Sequence, residues 1–237
     1  PCVHLTDISA VADLAHKHNA YLVVDNTFTS PINIQPLKLG ADVSINSLTK
    51  FLNGHSDALG GSATASAELV EKITLVGKLA GTPITPYDSW LIFRGLQTAS
   101  LRIERQTENA VKLAAALEKN PHVELVNHPS LDSFPQRDLA KKMFGNKGGT
   151  AMLSFIIPED EVKIDAFMEK LTLSKYAMTL GGLRTTLSHP CTSSHHSLPD
   201  AERRSLGITP GMFRVSVGLE SAEDIIDDFT NALTVFD

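Results

Sequence analysis

Cysteine is nearly absent from this chain: among 237 residues there are two, Cys2 and Cys191. They lie far apart without a CxxC-type neighbour, which excludes a disulfide framework and a cysteine-built zinc site. Packing is the role expected of both thiols, in a reducing compartment, the cytosol. No apolar run approaches the ~20 residues that cross a bilayer, and no signal-peptide pattern opens the chain, so no membrane association is expected. Cations are outnumbered, 21 Lys and Arg against 27 Asp and Glu for a net charge of -6, which does not suit nucleic-acid phosphates. The missing GxSxG elbow removes the common serine-hydrolase frame. His189, Cys191, His195 and His196 crowd together, but their spacing fits no standard zinc pattern. They read as a structural loop, and no metal is expected.

What is present is the composition of a globular protein, 42% apolar and 20% charged. Asp7 reads as an N-cap, with Ile8, Val11, Ala12, Leu14 and Ala15 following at helical spacing. Tyr21–Val24 is short, apolar and continuous, as a buried parallel strand should be. Ala41–Asn46 and Gly60–Ala65 read as further strands, and Glu68–Leu79 as a helix. This alternation predicts an α/β layer with a mostly parallel sheet. Beyond Gly95 the pattern changes. A long amphipathic helix is predicted over Thr98–Lys119. Strands follow at Val123–Val126, Met152–Ile157 and Phe213–Val217. Helices are expected near Asp138–Met143, at Glu161–Leu171 and at Ser221–Leu233, where Ser221 and Asp224 have capping-box spacing. Two domains are expected, residues 1–101 and a smaller α+β domain over 102–237.

The densest chemistry lies between Asp25 and Asp57. An apolar run ends in Asp25, at the strand edge where α/β sheets bind ligands. Ser47, Thr49 and Lys50 follow within a few residues of one another. A lysine amine forms a Schiff base with a carbonyl. Hydroxyls at Ser47 and Thr49 donate to a phosphate, and an acid such as Asp25 keeps a pyridine nitrogen protonated. Each residue alone has a plainer role, as turn aspartate, turn hydroxyl or surface lysine. Together, in this order, they point to a phosphorylated aldehyde cofactor.

The string VVDNTF…P…QPL…GAD…S…TKF.NGHSD resembles the pyridoxal-phosphate signature of the cystathionine γ-synthase, cystathionine γ-lyase and methionine γ-lyase family. The likeness continues through TPYDSWLIFRGLQT, LGG..TTLSHP and LGI..GMFRVSVGLES..D, nearly the whole chain. It implies an α/β fold of the type I, aspartate-aminotransferase-like class, with the rest of a large cofactor domain and a small C-terminal domain. It implies pyridoxal 5'-phosphate as cofactor: Lys50 would hold it and shuttle protons, Asp25 would pair with the ring nitrogen, and Ser47 and Thr49 would bind the phosphate. Arg214 would grip the substrate α-carboxylate through its planar fork. Thr179 stands where the family has a serine near that carboxylate.

The activity implied is γ-elimination from a sulfur amino acid such as methionine, homocysteine or cystathionine, giving a 2-oxo acid, ammonia and a thiol. γ-Replacement on an O-acylhomoserine, as by a synthase or sulfhydrylase, is the alternative. Met178 takes the place of a glutamate that reads a distal amine in cystathionine-processing members, which favours substrates lacking that amine. Arg184 resembles the sulfhydrylase branch, whereas the NGHSD run resembles the lyases and synthases. The family's N-terminal half, with its ring-stacking tyrosine and a neighbour's Tyr/Arg pair, has no counterpart here, and Pro1 is not a natural start. A fragment of a longer enzyme, a separate N-terminal chain or a non-catalytic assembly partner are the expectations this raises. The resemblance further implies a homo-oligomer, a tetramer of dimers that share active sites.

Overall fold

A computed structural model describes residues 1–237 as two compact units, Leu5–Ile103 and Glu104–Asp237 together with Pro1–His4. In the first unit, helix α1 (Ile8–Lys17) begins where Asp7 accepts the Ala10 N–H, and it buries Ile8 and Ala12. Strand β1 (Val23–Asp25) leads through the short helix α2 (Ser30–Asn33) to β2 (Val43–Ser47), its parallel neighbour. Strand β3 (Gly61–Ala65) returns antiparallel to β2. The sheet is therefore mixed, because no helical crossover separates Ser47 from Gly61. Strand β1 also departs from the buried strand expected: it has one neighbour, and Val23 keeps 53% of its surface exposed. Helices α3 (Ala67–Ala80) and α4 (Pro86–Leu96) follow, α4 starting with Thr85 as cap and Pro86 in the first turn. Helix α5 (Ala99–Glu118) leads on into the second unit.

The second unit holds a five-stranded sheet built from β4 (Leu125–Asn127), β5 (Met152–Ile156), β6 (Lys175–Tyr176), β7 (Thr186–Ser188) and β8 (Met212–Ser216). Their order is β4-β5-β8-β7-β6, antiparallel except for the β6–β7 pair. Helix α6 (Arg137–Phe144) precedes β5, α7 (Glu161–Lys170) follows it, α8 (Asp200–Ser205) precedes β8, and α9 (Ala222–Leu233) follows β8. Alternation splits β5 and β8 into two faces. One carries Phe155 and Phe213, which meet Phe167 of α7 and Phe229 of α9 in a fully buried ring cluster with centroids 5.2–6.3 Å apart. Large flat rings bury much apolar area per residue at low rotamer cost. The other face mixes Ser154, Arg214 and Ser216 with buried Met152, Ile156 and Met212.

Two expectations change in detail. Ser221 does cap α9, accepting the Asp224 N–H, but its hydroxyl pairs with Glu223 rather than with an acid at the third position. The two cysteines, distant in sequence, share one neighbourhood: Cys2 packs on the cluster of Ile156, Cys191, Ile208 and Met212, and both thiols are free. No helix is long and apolar enough to cross a membrane.

A buried imidazole gives the second unit an acid limit. His128 Nε2 donates to the Thr150 carbonyl at 2.9 Å, so Nδ1 is free to accept from the Ser130 backbone N–H at 3.2 Å. Burial pushes its pKa down to about 4. The neutral ring is favoured when folded, so the unfolded chain takes up the proton first as pH falls below the ordinary value of 6.5. Stability is expected to drop by roughly 3 kcal/mol between pH 6.5 and about 4, at 1.36 kcal/mol per unit. Denaturant melts of wild type and His128→Gln across that range check it. The variant should lose the slope, and an equal slope in both would rule His128 out as the source.

Candidate functional site

The ends of β1 and β2 set the first group of residues. Asp25 closes β1 and Ser47 closes β2, two parallel neighbours registered Asp25 with Ile45, so alternation puts Asp25 and Ser47 on one sheet face. Thr27 links them. Its N–H and hydroxyl both donate to Asp25 Oδ1, at 3.0 and 2.6 Å, while its Oγ1 accepts the Ser47 N–H at 2.8 Å. Asp25 Oδ2 and the half-buried Ser47 hydroxyl take no part in these bonds. The sequence reading missed Thr27. Its only mark there is its place two residues after the acid, the usual offset for an aspartate turn.

Past Ser47 the chain turns through a π-type coil, Leu48–Leu52, in which Lys50 alone leaves the helical region at φ -96°, ψ -131°. Turns of this kind concentrate at functional positions. Thr49 fits its expected phosphate role less well than Ser47, since its hydroxyl accepts the Gly60 N–H at 3.1 Å and faces the Gly60 carbonyl. The far side of the coil is bolted down. Arg102, 6% exposed, donates to the carbonyls of Phe51, Leu52 and Gly95 at 2.9, 3.0 and 2.7 Å. Gly54 sits at φ +76°, where an added Cβ would lie 1.8 Å from the Arg102 guanidinium, and a Cβ on Gly95 would meet the Asn53 carbonyl at 2.4 Å. Both positions demand glycine for close approach. Lys50 is thus half-buried on a coil whose backbone is held by a cation.

These residues fit a phosphorylated pyridine aldehyde by their donor chemistry: an acid with one free oxygen, a free hydroxyl on the same face, and a lysine on a fixed coil. An apolar cavity of about 530 Å³ in this unit lies elsewhere. Ser44, Asn46, Ser62 and Thr64 floor it from the opposite sheet face. It holds none of the expected site residues.

In the second unit Arg214 lies on the mixed face of β8, with Ser154 of β5 and Ser188 of β7 as its register partners. Asn127 of β4 completes the row and donates to Ser154 Oγ at 3.1 Å. Ser154, Ser188 and Asn127 are buried, and burial lowers the Arg214 pKa. This row was hidden in sequence, because its members come from four separated strands. Thr179 is exposed just past β6, and Met178 beside it is 66% exposed. The histidine loop folds on itself: His189 stacks on Phe213, bonds Thr192 at 3.0 Å and donates to the Pro210 carbonyl at 2.5 Å. No group of three or more His, Cys, Asp or Glu is placed to hold a metal.

An acid and a hydroxyl at the ends of two parallel strands, with a lysine on the coil that follows, are the donor set that a pyridoxal-phosphate-binding class of protein requires. More closely, the chain belongs to the Cys/Met metabolism PLP-dependent enzyme family, whose model matches residues 1–234. It is 43% identical to cystathionine gamma-lyase of Bacillus subtilis, covering 98% of this chain and 61% of that one. To L-methionine gamma-lyase of Porphyromonas gingivalis it is 41% identical, covering 98% and 59%. The crystal structure of cystathionine gamma synthase from Xanthomonas oryzae pv. oryzae with cystathionine superposes at a TM-score of 0.93 and 36% identity, over 99% of this chain and 60% of that one. The α/β fold expected of the resemblance is therefore present. The chain spans about three-fifths of the length of these relatives.

Proposed function

We propose that this protein catalyses pyridoxal-phosphate-dependent γ-elimination on a sulfur amino acid, methionine or homocysteine in preference to cystathionine. The observation that carries this is the Asp25–Thr27–Ser47 relay beside the Lys50 coil. Asp25 Oδ2 would accept the ring N–H, Ser47 would donate to the phosphate with Thr49 as a secondary donor, and Lys50 would hold the aldehyde carbon. Bound there, the cofactor supplies an electron sink for the pair left when the Cα–H bond breaks. Lys50 would take the Cα proton as general base and carry protons onward. Arg214 would bind the α-carboxylate with two parallel N–H donors, and Thr179 would add a hydroxyl. Lys50 would also take a Cβ proton, the C–H pair forming the Cβ–Cγ double bond as the C–S pair departs on a thiolate, which takes up a proton to leave as thiol. Net reaction with water yields 2-oxo acid, ammonia and thiol.

Exposed, apolar Met178 supports substrates without a distal amine. The compact unit Leu5–Ile103 supports reading residues 1–101 as part of a large cofactor domain and 102–237 as the small domain. Helix α3 buries none of its residues within this chain, and Val76, Leu79, Tyr87 and Phe93 on α3 and α4 are each more than 60% exposed. Apolar surface of this kind supports assembly, as a homo-oligomer or with further polypeptide supplying the missing tyrosines.

A product assay tests the reaction. L-Methionine alone should give 2-oxobutyrate and a thiol, more than O-acetylhomoserine plus a thiol gives a replacement product. Replacement without elimination would make the protein a synthase or sulfhydrylase. Neither product from a protein that takes up no cofactor would leave it a non-catalytic assembly partner.

A further inference from the structure

Thr179 sits in an irregular stretch, Ala177–Gly182, whose backbone is held by three side chains. The Gly181 N–H donates to Ser216 Oγ at 2.8 Å, Gln106 Nε2 donates to the Gly182 carbonyl at 2.7 Å, and Thr186 Oγ1 reaches the Thr179 carbonyl at 3.4 Å. Gly181 holds φ +76°, a conformation glycine adopts without strain, and the stretch is also anchored at its start by the Ala177 N–H on the Leu187 carbonyl at 2.9 Å. Two of the three are buried, Gln106 at 1% exposure and Ser216, of β8, at 2%. It lies two residues past Arg214, and a strand's period of two sends both side chains to the same face. Across the sheet, Ser216 is flanked by Met152 and Thr186, as Arg214 is flanked by Ser154 and Ser188. A buried hydroxyl beside a methionine is costly unless its oxygen is used, and Gly181 uses it.

We propose that Ser216 is a positioning residue for recognition of the substrate α-carboxylate: by accepting the Gly181 N–H it ties the Thr179 turn to the strand that carries Arg214. This rests on the reading of Arg214 and Thr179 as the carboxylate contacts. Nothing covalent is involved. The hydroxyl fixes where one carboxylate contact stands relative to the other, so its removal weakens binding of carboxylate-bearing ligands without touching the proton-transferring lysine.

The test compares Ser216→Ala, Thr179→Ala, the double variant and Arg214→Ala in the protein as expressed, with any flanking residues in place. L-Methionine is the substrate, and 3-(methylthio)propylamine, which lacks the carboxylate, is the competing probe. Ser216→Ala should raise KM for methionine about tenfold, the size of one hydrogen bond, with kcat changed less than about threefold. Inhibition by the amine should be unchanged. In the Thr179→Ala background the Ser216 change should add nothing further, because both act through one contact. A lower melting temperature with unchanged KM, or fully additive effects, would overturn the proposal by making Ser216 a fold residue only. Arg214→Ala separates the two layers: if it also leaves KM unchanged, the carboxylate reading itself is wrong, whereas a raised KM there beside an unaffected Ser216→Ala removes only the tether. Should Ser216→Ala fail to fold, Ser216→Cys keeps the size with a weaker acceptor, and an unchanged KM in that folded variant overturns the proposal equally.

Discussion

Lys50→Ala should abolish turnover while leaving the fold intact. The expected loss is on the order of 10³-fold or more, since general-base catalysis alone contributes 10²–10⁴ and the covalent hold on the cofactor goes with it. Structure is spared for a local reason. Lys50 is the one residue of its coil outside helical geometry, and what fixes the coil is backbone: the Gly54 N–H on the Lys50 carbonyl at 2.7 Å, and the Phe51 and Leu52 carbonyls on Arg102. Alanine keeps every one of these bonds. Wild type mixed with pyridoxal 5'-phosphate should show a visible band that borohydride fixes to Lys50. In Lys50→Ala the cofactor should bind but remain removable by dialysis after borohydride. A variant with normal 2-oxo acid production would remove Lys50 from the mechanism.

Arg102→Leu is the substitution expected to cost most stability. Three carbonyls lose their cationic donor in a site closed to water, and hydrogen bonds to a charged group are worth ~1.5–3 kcal/mol each without being additive. About 3–5 kcal/mol is expected, which for a chain of this size lowers Tm by roughly 6–20 °C. Arg102→Lys should recover little of it, because one ammonium cannot span the three carbonyls that the guanidinium fork reaches. Thermal melts of the three proteins decide the matter, and a shift under ~2 °C for the leucine variant would show the carbonyls finding other partners. Cofactor uptake should fall with stability, since the Lys50 coil lies on the same bonds.

Much of this molecule was legible where one local rule sufficed. Asp7 and the period that follows it gave α1, and the dense β-branched and aromatic run after Gly149 marked β5. The cofactor string was legible because Asp25, Ser47 and Lys50 fall within one continuous stretch of sequence. Helix α4 was not, because Tyr87, Trp90, Leu91, Ile92 and Phe93 make it apolar on more than one side and blur the 3.6 period. Strands β6 and β7, two and three residues long, are too short to carry alternation. Arg102 is one of the cations along an amphipathic helix, and nothing in its sequence neighbours announces the two carbonyls, of Phe51 and Leu52, that it meets from 51 and 50 residues away. Ser154, Ser188 and Ser216 had the same anonymity. A serine on a strand acquires meaning only from the register that sets it beside Arg214 or under Gly181.

The His128 ring has a use beyond its acid sensitivity. With Nε2 committed to the Thr150 carbonyl and Nδ1 to the Ser130 N–H, both ring nitrogens are occupied and only one tautomer satisfies the pair. Its ring proton therefore exchanges with solvent only when the unit around it opens. A single slowly exchanging imidazole proton is a built-in gauge of opening in the part of the protein that presents Arg214, readable without any label.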